Sequence, residues 1–160
     1  MDKFPITSEG FAAVEAELKN LKTVERMSVI KAIAEARAHG DLKENAEYHA
    51  ARDKQSFIEG RIQELESMIA GAEVIDIDKL TGDIVKFGAT VRLFDEDSEE
   101  EVKYQIVGEY ESDIKKAKLS ITAPISRALI GKKKGDYAEV NTPKGVKSYE
   151  IIEVKYITKP

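Results

Sequence analysis

The chain has 160 residues, enough for one ordinary domain or two small ones, and its 42% hydrophobic and 34% charged residues are typical of a charge-rich folded protein. Its net charge of −5 excludes a general binder of the nucleic-acid phosphate backbone, and the absence of cysteine excludes disulfides, thiolate metal sites and thiol nucleophiles. No apolar run approaches the roughly 20 residues that span a membrane, and no secretory signal is recognisable, so we expect a cytoplasmic protein with no membrane partner.

The apolar residues of the N-terminal part recur at helical spacing. Thr7 or Ser8 can cap a first helix, and its seam steps by three and four as far as Leu21, as in a coiled coil. The spacing slips between Leu21 and Ile30, and Ile30, Ile33 and Ala34 then resume the stripe, so the helix should run to about His39. A helix of about 30 residues would be about 45 Å long, far more than the core of so small a domain needs. The sequence therefore predicts a projecting helical arm.

A second helix is predicted after Gly40, which is suited to end the first helix in a left-handed conformation. One face of this second helix is apolar, and a short turn would join the two helices into an antiparallel coiled-coil hairpin. We expect this arm to comprise residues 1–75. The predicted apolar face consists of Ala51, Ile58, Ile62, Leu65 and Ile69.

Over residues 76–160, β-branched alternation, glycines and three prolines replace the helical periodicity. Two alternating stretches flank the acidic loop 95–101, which predicts a β-hairpin. A strand, a turn at Pro124 and a short helix follow, and a final pair of strands is predicted about Pro143. The fold class is therefore α+β, with the helices and a small antiparallel sheet in separate halves. The boundary between the arm and this globular domain is predicted within residues 71–82.

Asp41 and Glu44 lie at the predicted turn of the hairpin, in the stretch AHGDLKENAEYHAA. Their spacing fits an N-terminal capping box, in which Asp41 accepts from backbone amides and Glu44 reaches back, and on spacing alone this is the favoured interpretation. The spacing also fits a pair of exposed ligands for Mg²⁺, which is typically held by one or two carboxylates together with waters and substrate phosphates. Such a pair would matter only if a partner supplied the remaining ligands of a site for phosphodiester hydrolysis.

Other kinds of site have less support near this turn. His39, Asp41 and His49 suggest a zinc site, but neither an HExxH pattern nor a cysteine accompanies them. The GxSxG pattern of serine hydrolases and the phosphate-binding GxxxxGK[ST] pattern are also absent.

Arg37 and Arg52 lie on opposite arms at similar distances from the turn. We expect them to form a small positive patch suited to the phosphates of a strand end.

Five stretches, in this order, carry a family resemblance: ARAHGDLKENAEYHAARDKQ, VKFGATVRL, IVGEYESDI, SITAPISRALIGKKKGD and VNTPKGVKSYEI. Together they resemble the Gre family of bacterial transcript-cleavage factors over essentially the whole chain. The resemblance implies an N-terminal antiparallel coiled coil and a C-terminal domain similar to FK506-binding proteins. It further implies that the globular domain binds bacterial RNA polymerase beside its secondary channel and that the coiled coil enters the channel. The polymerase then cuts the 3′ end of its own backtracked RNA.

The resemblance also implies roles for individual residues. Asp41 and Glu44 match two acidic tip positions that help hold a second Mg²⁺ in the polymerase complex and organise the attacking water, whereas the free factor binds no metal. The factor would be a monomer that stimulates the polymerase's own reaction and is not itself an enzyme. Residues implied to orient the pair or to contact RNA or polymerase are Arg37, Lys43, Asn45, Tyr48 and Arg52. Residues implied to dock on the polymerase are Pro124, Ile125, Ser126 and Arg127.

Two alternatives to a cleavage factor stay open. A Gre-like protein could occupy the channel as an inhibitor, but such tips tend to carry extra acids, whereas Gly40 and Lys43 flank the pair here. The C-terminal half could be a peptidyl-prolyl isomerase or a peptide-binding module by fold analogy alone, although 7% aromatic residues and no tryptophan argue against an aromatic-lined pocket. The sequence departs from the family at Arg26-Met27-Ser28, where proline often follows the arginine, and at Thr122-Ala123-Pro124, where Ser-Pro is common.

Overall fold

The structure is a computed structural model that describes residues 3–40 and 45–157 of the chain. Its helices are α1 (Ser8–Asn20), α2 (Arg26–Arg37), α3 (Ala46–Gly71) and α4 (Pro124–Leu129), and a π-helical segment (Leu21–Glu25) joins α1 to α2. Its strands are β1 (Phe4–Thr7), β2 (Ala72–Ile75), β3 (Thr90–Asp95), β4 (Glu100–Val107), β5 (Lys118–Ser120), β6 (Tyr137–Thr142) and β7 (Gly145–Lys155). Short 3₁₀ helices span Ile77–Lys79, Glu109–Glu111 and Ile114–Lys116. The predicted α+β class is confirmed.

The chain divides into two compact units, a helical unit, Phe11–Gly71, and a sheet unit, Met1–Gly10 with Ala72–Pro160. The second division point falls within the predicted boundary region, residues 71–82. The N-terminal segment differs from the prediction, because it belongs with the sheet unit and not with the arm. The physical reason is that β1 pairs in parallel with β2, so that both strands lie in the sheet unit.

Glu111 fastens the N-terminal strand within the sheet unit. Its carboxylate accepts hydrogen bonds from the Thr7 N–H at 2.8 Å, from the Gly108 N–H at 3.0 Å and from the Thr7 hydroxyl. The Thr7 hydroxyl oxygen accepts from the Gly10 N–H at 3.0 Å, so Thr7 is the cap of α1, one of the two residues predicted for that role. Gly108 leaves no room for a side chain, because an added Cβ would lie 2.5 Å from the carbonyl oxygen of Pro5. We call the Glu111 carboxylate and its three hydrogen bonds from Thr7 and Gly108 the Glu111 anchor.

The helical unit is an antiparallel hairpin, as predicted. Two bidentate ion pairs set its register: Arg26 donates to Glu59 at 2.8 and 2.9 Å, and Arg61 donates to Glu17 at 2.7 and 3.0 Å. These hydrogen bonds from the guanidinium groups lower the pKa of both carboxyl groups. Although α3 has 26 residues, no helix in the described part of the chain is both long and apolar enough to cross a membrane.

The predicted slip in the seam of the first helix coincides with the π-helical segment. A π turn holds one extra residue, so the side chains that follow it are rotated about the helix axis. Val24 and Met27 face solvent, at 56% and 57% exposure, and the buried stripe resumes at Val29 and not at the predicted Ile30, which is 46% exposed. On α3, the predicted apolar face is confirmed by four buried residues, Ala51, Ile58, Ile62 and Leu65. The buried cluster of the unit consists of Val29, Ile58 and Ile62, against which Leu18 and Leu21 pack.

The sheet unit contains a five-stranded sheet in the order β5-β4-β3-β7-β6. The predicted hairpin around the acidic loop is β3–β4, and the predicted final pair is β6–β7. The sequence predicts an antiparallel sheet, whereas the observed sheet is mixed, because β5 runs parallel to β4. Residues 108–117 form a connection long enough to bring β5 back alongside β4 in the same direction. The core on this sheet consists of Val85, Ala89, Val91, Leu93, Ile106, Leu129, Ala138, Val140, Tyr149 and Ile151.

Candidate functional site at the hairpin turn

The first arm of the hairpin ends with α2, and the last turn closes with the His39 N–H donating to the Ala36 carbonyl oxygen at 3.1 Å. Gly40 follows with a φ of +128°, in the region that favours glycine. The predicted glycine end of the first helix is thus confirmed. Residues 41–44 lie outside the described residues, and with them lie three of the predicted site residues, Asp41, Lys43 and Glu44.

Asn45 is the first described residue of the second arm, and its side chain makes two hydrogen bonds. Its Oδ1 accepts from the Tyr48 N–H at 3.0 Å, which makes Asn45 the cap of α3. Its Nδ2 donates to the Ala36 carbonyl oxygen, in the last turn of α2, at 2.6 Å. The same side chain therefore caps one helix and gives the Ala36 carbonyl at the end of the other a second donor, beside the His39 N–H. We call these two bonds the Asn45 bridge.

Small residues lie between the helices near the turn. Ala36 is 3% exposed and Ala51 is 9% exposed. Without larger side chains at these positions, the backbones of α2 and α3 come close enough for the short Asn45 side chain to reach Ala36. Tyr48 is half-buried and packs edge-on against His49, with 5.5 Å between ring centroids. The first turn of α3 thus makes local contacts through both Asn45 and Tyr48.

The described cationic side chains of the hairpin differ in whether they form an ion pair. Lys22, Lys54 and Arg61 each form an ion pair with a carboxylate. Arg37 and Arg52 are exposed and take part in no ion pair within residues 3–40 and 45–157. The prediction that these two side chains form a small positive patch stays a prediction.

The described residues do not by themselves form a metal centre. No group of three or more His, Asp or Glu side chains within them is arranged to hold a metal ion. His39 is exposed beyond the end of α2, and His49 lies in the first turns of α3 against Tyr48. The predicted ligands Asp41 and Glu44 lie outside these residues, so the prediction of a shared Mg²⁺ site stays a prediction.

The predicted docking block is α4, which begins at Pro124. Pro124 and Arg127 are exposed and Ile125 is half-buried, so these three side chains can contact a partner. Ser126 is fully buried, and its hydroxyl has no hydrogen-bond partner in the described part of the chain. The reason is the helical period, which turns Ser126 inward together with Leu129, three residues later. Direct docking through the Ser126 side chain does not fit the structure, and we remove this residue from the docking set.

Sequence reasoning missed two polar arrangements. It offered Asn45 as a residue to orient the acidic pair or contact a partner, although asparagine before a helical run is a strong signal for a cap. The bond from Asn45 to Ala36 gives no signal in the sequence, because it joins two helices. The Glu111 anchor was also missed, since Thr7 and Glu111 are 104 positions apart.

The fold and the turn define a class of protein: a long two-helix hairpin with polar groups at its turn, followed by a small mixed-sheet domain. The family model described as "Transcription elongation factor, N-terminal" matches residues 4–74, and the model described as "Transcription elongation factor, GreA/GreB, C-term" matches residues 80–156. The chain therefore belongs to the GreA/GreB family of transcription elongation factors.

Similar proteins agree with this assignment. The transcription elongation factor GreA of Phenylobacterium zucineum is 62% identical over 157 residues, which cover 98% of this chain and 100% of that protein. GreA of Rickettsia prowazekii is 66% identical over 154 residues, covering 96% of this chain and 95% of that protein. The solved structure of GreA/GreB from Nitrosomonas europaea is 28% identical and covers 96% of this chain and 100% of that one, with a TM-score of 0.42. At that TM-score the assignment rests on sequence and not on superposition.

Proposed function

We propose that the chain is a transcription elongation factor that binds bacterial RNA polymerase at its secondary channel and stimulates endonucleolytic cleavage of the 3′ end of backtracked nascent RNA. Arrested complexes would thereby resume elongation. The strongest support is the sequence identity to two proteins named GreA, 62% over 98% of this chain and 66% over 96% of it. The hairpin adds a physical rationale, because a narrow pair of helices can bring a turn into a cavity that a compact domain cannot enter.

Asp41 and Glu44 are the proposed catalytic residues, acting through a metal ion held jointly with the polymerase. Two carboxylates suit Mg²⁺ in charge and in donor type, but they leave most of its six positions to waters, substrate phosphates and the polymerase. When bound, the ion would supply Lewis acidity and an activated water for hydrolysis of the phosphodiester. This chain would contribute two ligands and their orientation, so it acts as a stimulator of the polymerase's reaction and not as an enzyme alone.

The remaining polar groups of the turn would hold the RNA and the polymerase. Arg37 and Arg52, which form no ion pair within residues 3–40 and 45–157, are proposed to contact phosphates near the RNA 3′ end. Lys43 and Tyr48 are also proposed to contact RNA or polymerase. On the sheet unit, the exposed Pro124 and Arg127 and the half-buried Ile125 are proposed to dock on the polymerase.

The test is direct: purified protein is added to a stalled, backtracked bacterial polymerase complex whose RNA carries a 3′ label. Release of a short labelled 3′ fragment, followed by renewed elongation, is expected. A control without protein gives the intrinsic cleavage rate of the polymerase. If the protein competes for the channel but releases no fragment above this control, the channel-binding inhibitor is the correct function. If it neither binds nor stimulates cleavage, the proposal fails.

A further inference from the structure

The outward side of α3 carries an exposed aromatic ring beside a position without a side chain. Phe57 is 74% exposed, the highest value among the large apolar side chains in the described part of the chain. Gly60, three residues later, is also exposed, and a Cβ added there would lie within 4 Å of no other segment of the chain. Residues three apart are neighbours on a helix surface, so the ring of Phe57 stands next to the gap at Gly60.

The free hairpin gives no reason for either residue. An exposed phenyl ring gains little from burial, and glycine inside a helix lowers its stability relative to alanine. The buried cluster of the hairpin takes Ile58 and Ile62 from α3 and needs neither Phe57 nor Gly60. With 3.6 residues per turn, Gly60 lies on nearly the opposite side of the helix from Ile58, away from this cluster. The pair therefore indicates contact with a partner.

Resting on the proposed function, we propose that Phe57 and Gly60 form a docking point on α3 for the protein wall of the polymerase channel. The phenyl ring enters an apolar hollow in that wall, and the missing side chain of Gly60 lets the backbone of the wall approach the helix closely. Large aromatic side chains that fill such hollows carry much of the binding energy of protein interfaces. We call this pair of residues the Phe57 docking point.

The charges beside the docking point argue against a second copy of the chain as its occupant. Four residues, separated by steps of four, three and four, share one stripe of α3: Asp53, Phe57, Gly60 and Glu64. If two α3 helices packed antiparallel, with Phe57 of each copy over Gly60 of the other, Asp53 would lie opposite Glu64. Like charges that face each other across an interface oppose association.

The same charges indicate a basic side chain on the wall. Glu64 is paired with Arg61 at 3.2 Å. Asp53 is exposed and forms no ion pair within residues 3–40 and 45–157. The negative charge left for a partner is therefore that of Asp53, one turn before Phe57. A wall with an apolar hollow and a neighbouring lysine or arginine is complementary to this surface.

Two substitutions test the ring and the gap separately. Phe57→Ala should raise the factor concentration for half-maximal cleavage by about 10- to 100-fold, as the loss of a central aromatic contact does. The cleavage rate at saturating factor should not change, because the docking point takes no part in the chemistry. Gly60→Leu should weaken docking similarly and yet raise the melting temperature, because leucine stabilises a helix relative to glycine and meets no other segment here. Misfolding would not produce this combination.

The experiment measures binding of fluorescently labelled protein to bacterial core polymerase by anisotropy, and cleavage of a stalled, backtracked complex against factor concentration. Two matched controls lie on the other helix and should behave as wild type. Met27→Ala removes an apolar side chain that is 57% exposed, and Ser28→Leu adds a leucine at an exposed position. Asp53→Lys should weaken binding at low salt, and the loss should narrow as salt rises.

The other outcomes overturn either the inference or the proposed function. If Phe57→Ala and Gly60→Leu bind as tightly as wild type, while wild type releases a short 3′ fragment, the inference fails and the proposed function stands. If wild type neither binds polymerase nor releases a fragment, the proposed function fails and the inference fails with it. If sedimentation shows a wild-type dimer that Phe57→Ala converts to a monomer, the occupant is a second copy, which overturns the inference. Equal losses in the two controls would also overturn it.

Discussion

The sheet unit and the helical unit are stabilised in different ways. The described core of the sheet unit includes a cluster of ten buried residues, whereas the buried cluster of the helical unit has three, supplemented by ion pairs between the helices. Burial of a Val, Leu or Ile side chain contributes roughly 1.5–3 kcal/mol, but an exposed ion pair contributes only about 0–1 kcal/mol. The comparison teaches that the described part of the hairpin relies on a small core together with ion pairs between its helices.

The largest expected effect is in the core of the sheet unit. Ile151→Ala removes a fully buried side chain from β7 and should destabilise the unit by about 2–5 kcal/mol. Urea unfolding followed by the amide NMR signals of β7 measures the change. Val146→Ala, at a position 58% exposed on the same strand, is the control and should change stability by less than about 0.5 kcal/mol. Equal effects of the two substitutions would contradict the assignment of the core.

A smaller effect is expected at the Glu111 anchor. Glu111→Ala removes the acceptor of three hydrogen bonds and leaves buried donors unpaired, which should cost about 1–3 kcal/mol in the sheet unit. Chemical denaturation followed by the NMR signals of β1 and β2 measures the loss. The neighbouring Glu109 is exposed, so Glu109→Ala should be close to neutral. An unchanged stability of Glu111→Ala would show that β1 is held by its pairing with β2 alone.

At the turn, the effect should appear in activity and not in stability. Replacing Arg37 and Arg52 together by glutamine should lower the cleavage rate by roughly tenfold at low salt, since each exposed charge contact contributes up to about 1 kcal/mol. The loss should narrow as salt rises, because screening weakens the same contact in wild type. Cleavage rates at several salt concentrations test this, with Lys54→Gln, which removes a paired cation from the arm, as the control. A loss that is independent of salt would exclude an electrostatic role.

The smallest effect concerns the ion pairs of the hairpin. The hydrogen bond from Arg61 lowers the pKa of Glu17 below its usual 4.5. Because the folded pKa is the lower one, the stabilisation is present above about pH 4.5 and disappears as the pH falls through the folded value. Helicity against urea at pH 7 and at pH 3 should therefore differ more for wild type than for Glu17→Gln. The same pH dependence in both proteins would show that this pair does not stabilise the hairpin.

Local patterns predicted much of this molecule. The helical spacing predicted the hairpin, the slip between Leu21 and Ile30 marked the π-helical segment, and Gly40 marked the end of the first helix. The Glu111 anchor and the Asn45 bridge depend on residues brought together by the fold, so no local pattern could reveal them. Ser126 shows the reverse error, because a resemblance gives a residue's place in a motif but not the direction in which its side chain points.

The central claim is that Asp41 and Glu44 act together on one Mg²⁺ in the polymerase complex. The most direct test measures the rate of transcript cleavage against Mg²⁺ for wild type, Asp41→Asn, Glu44→Gln and the double variant. The substitutions keep the size of the side chains and leave Asn45, the cap of α3, in place, so folding and competition for the channel should persist in all four proteins. Each single substitution should abolish most stimulated cleavage, the double should be little worse, and excess Mg²⁺ should restore part of the activity of the singles. Near wild-type rates in either single variant would contradict the claim.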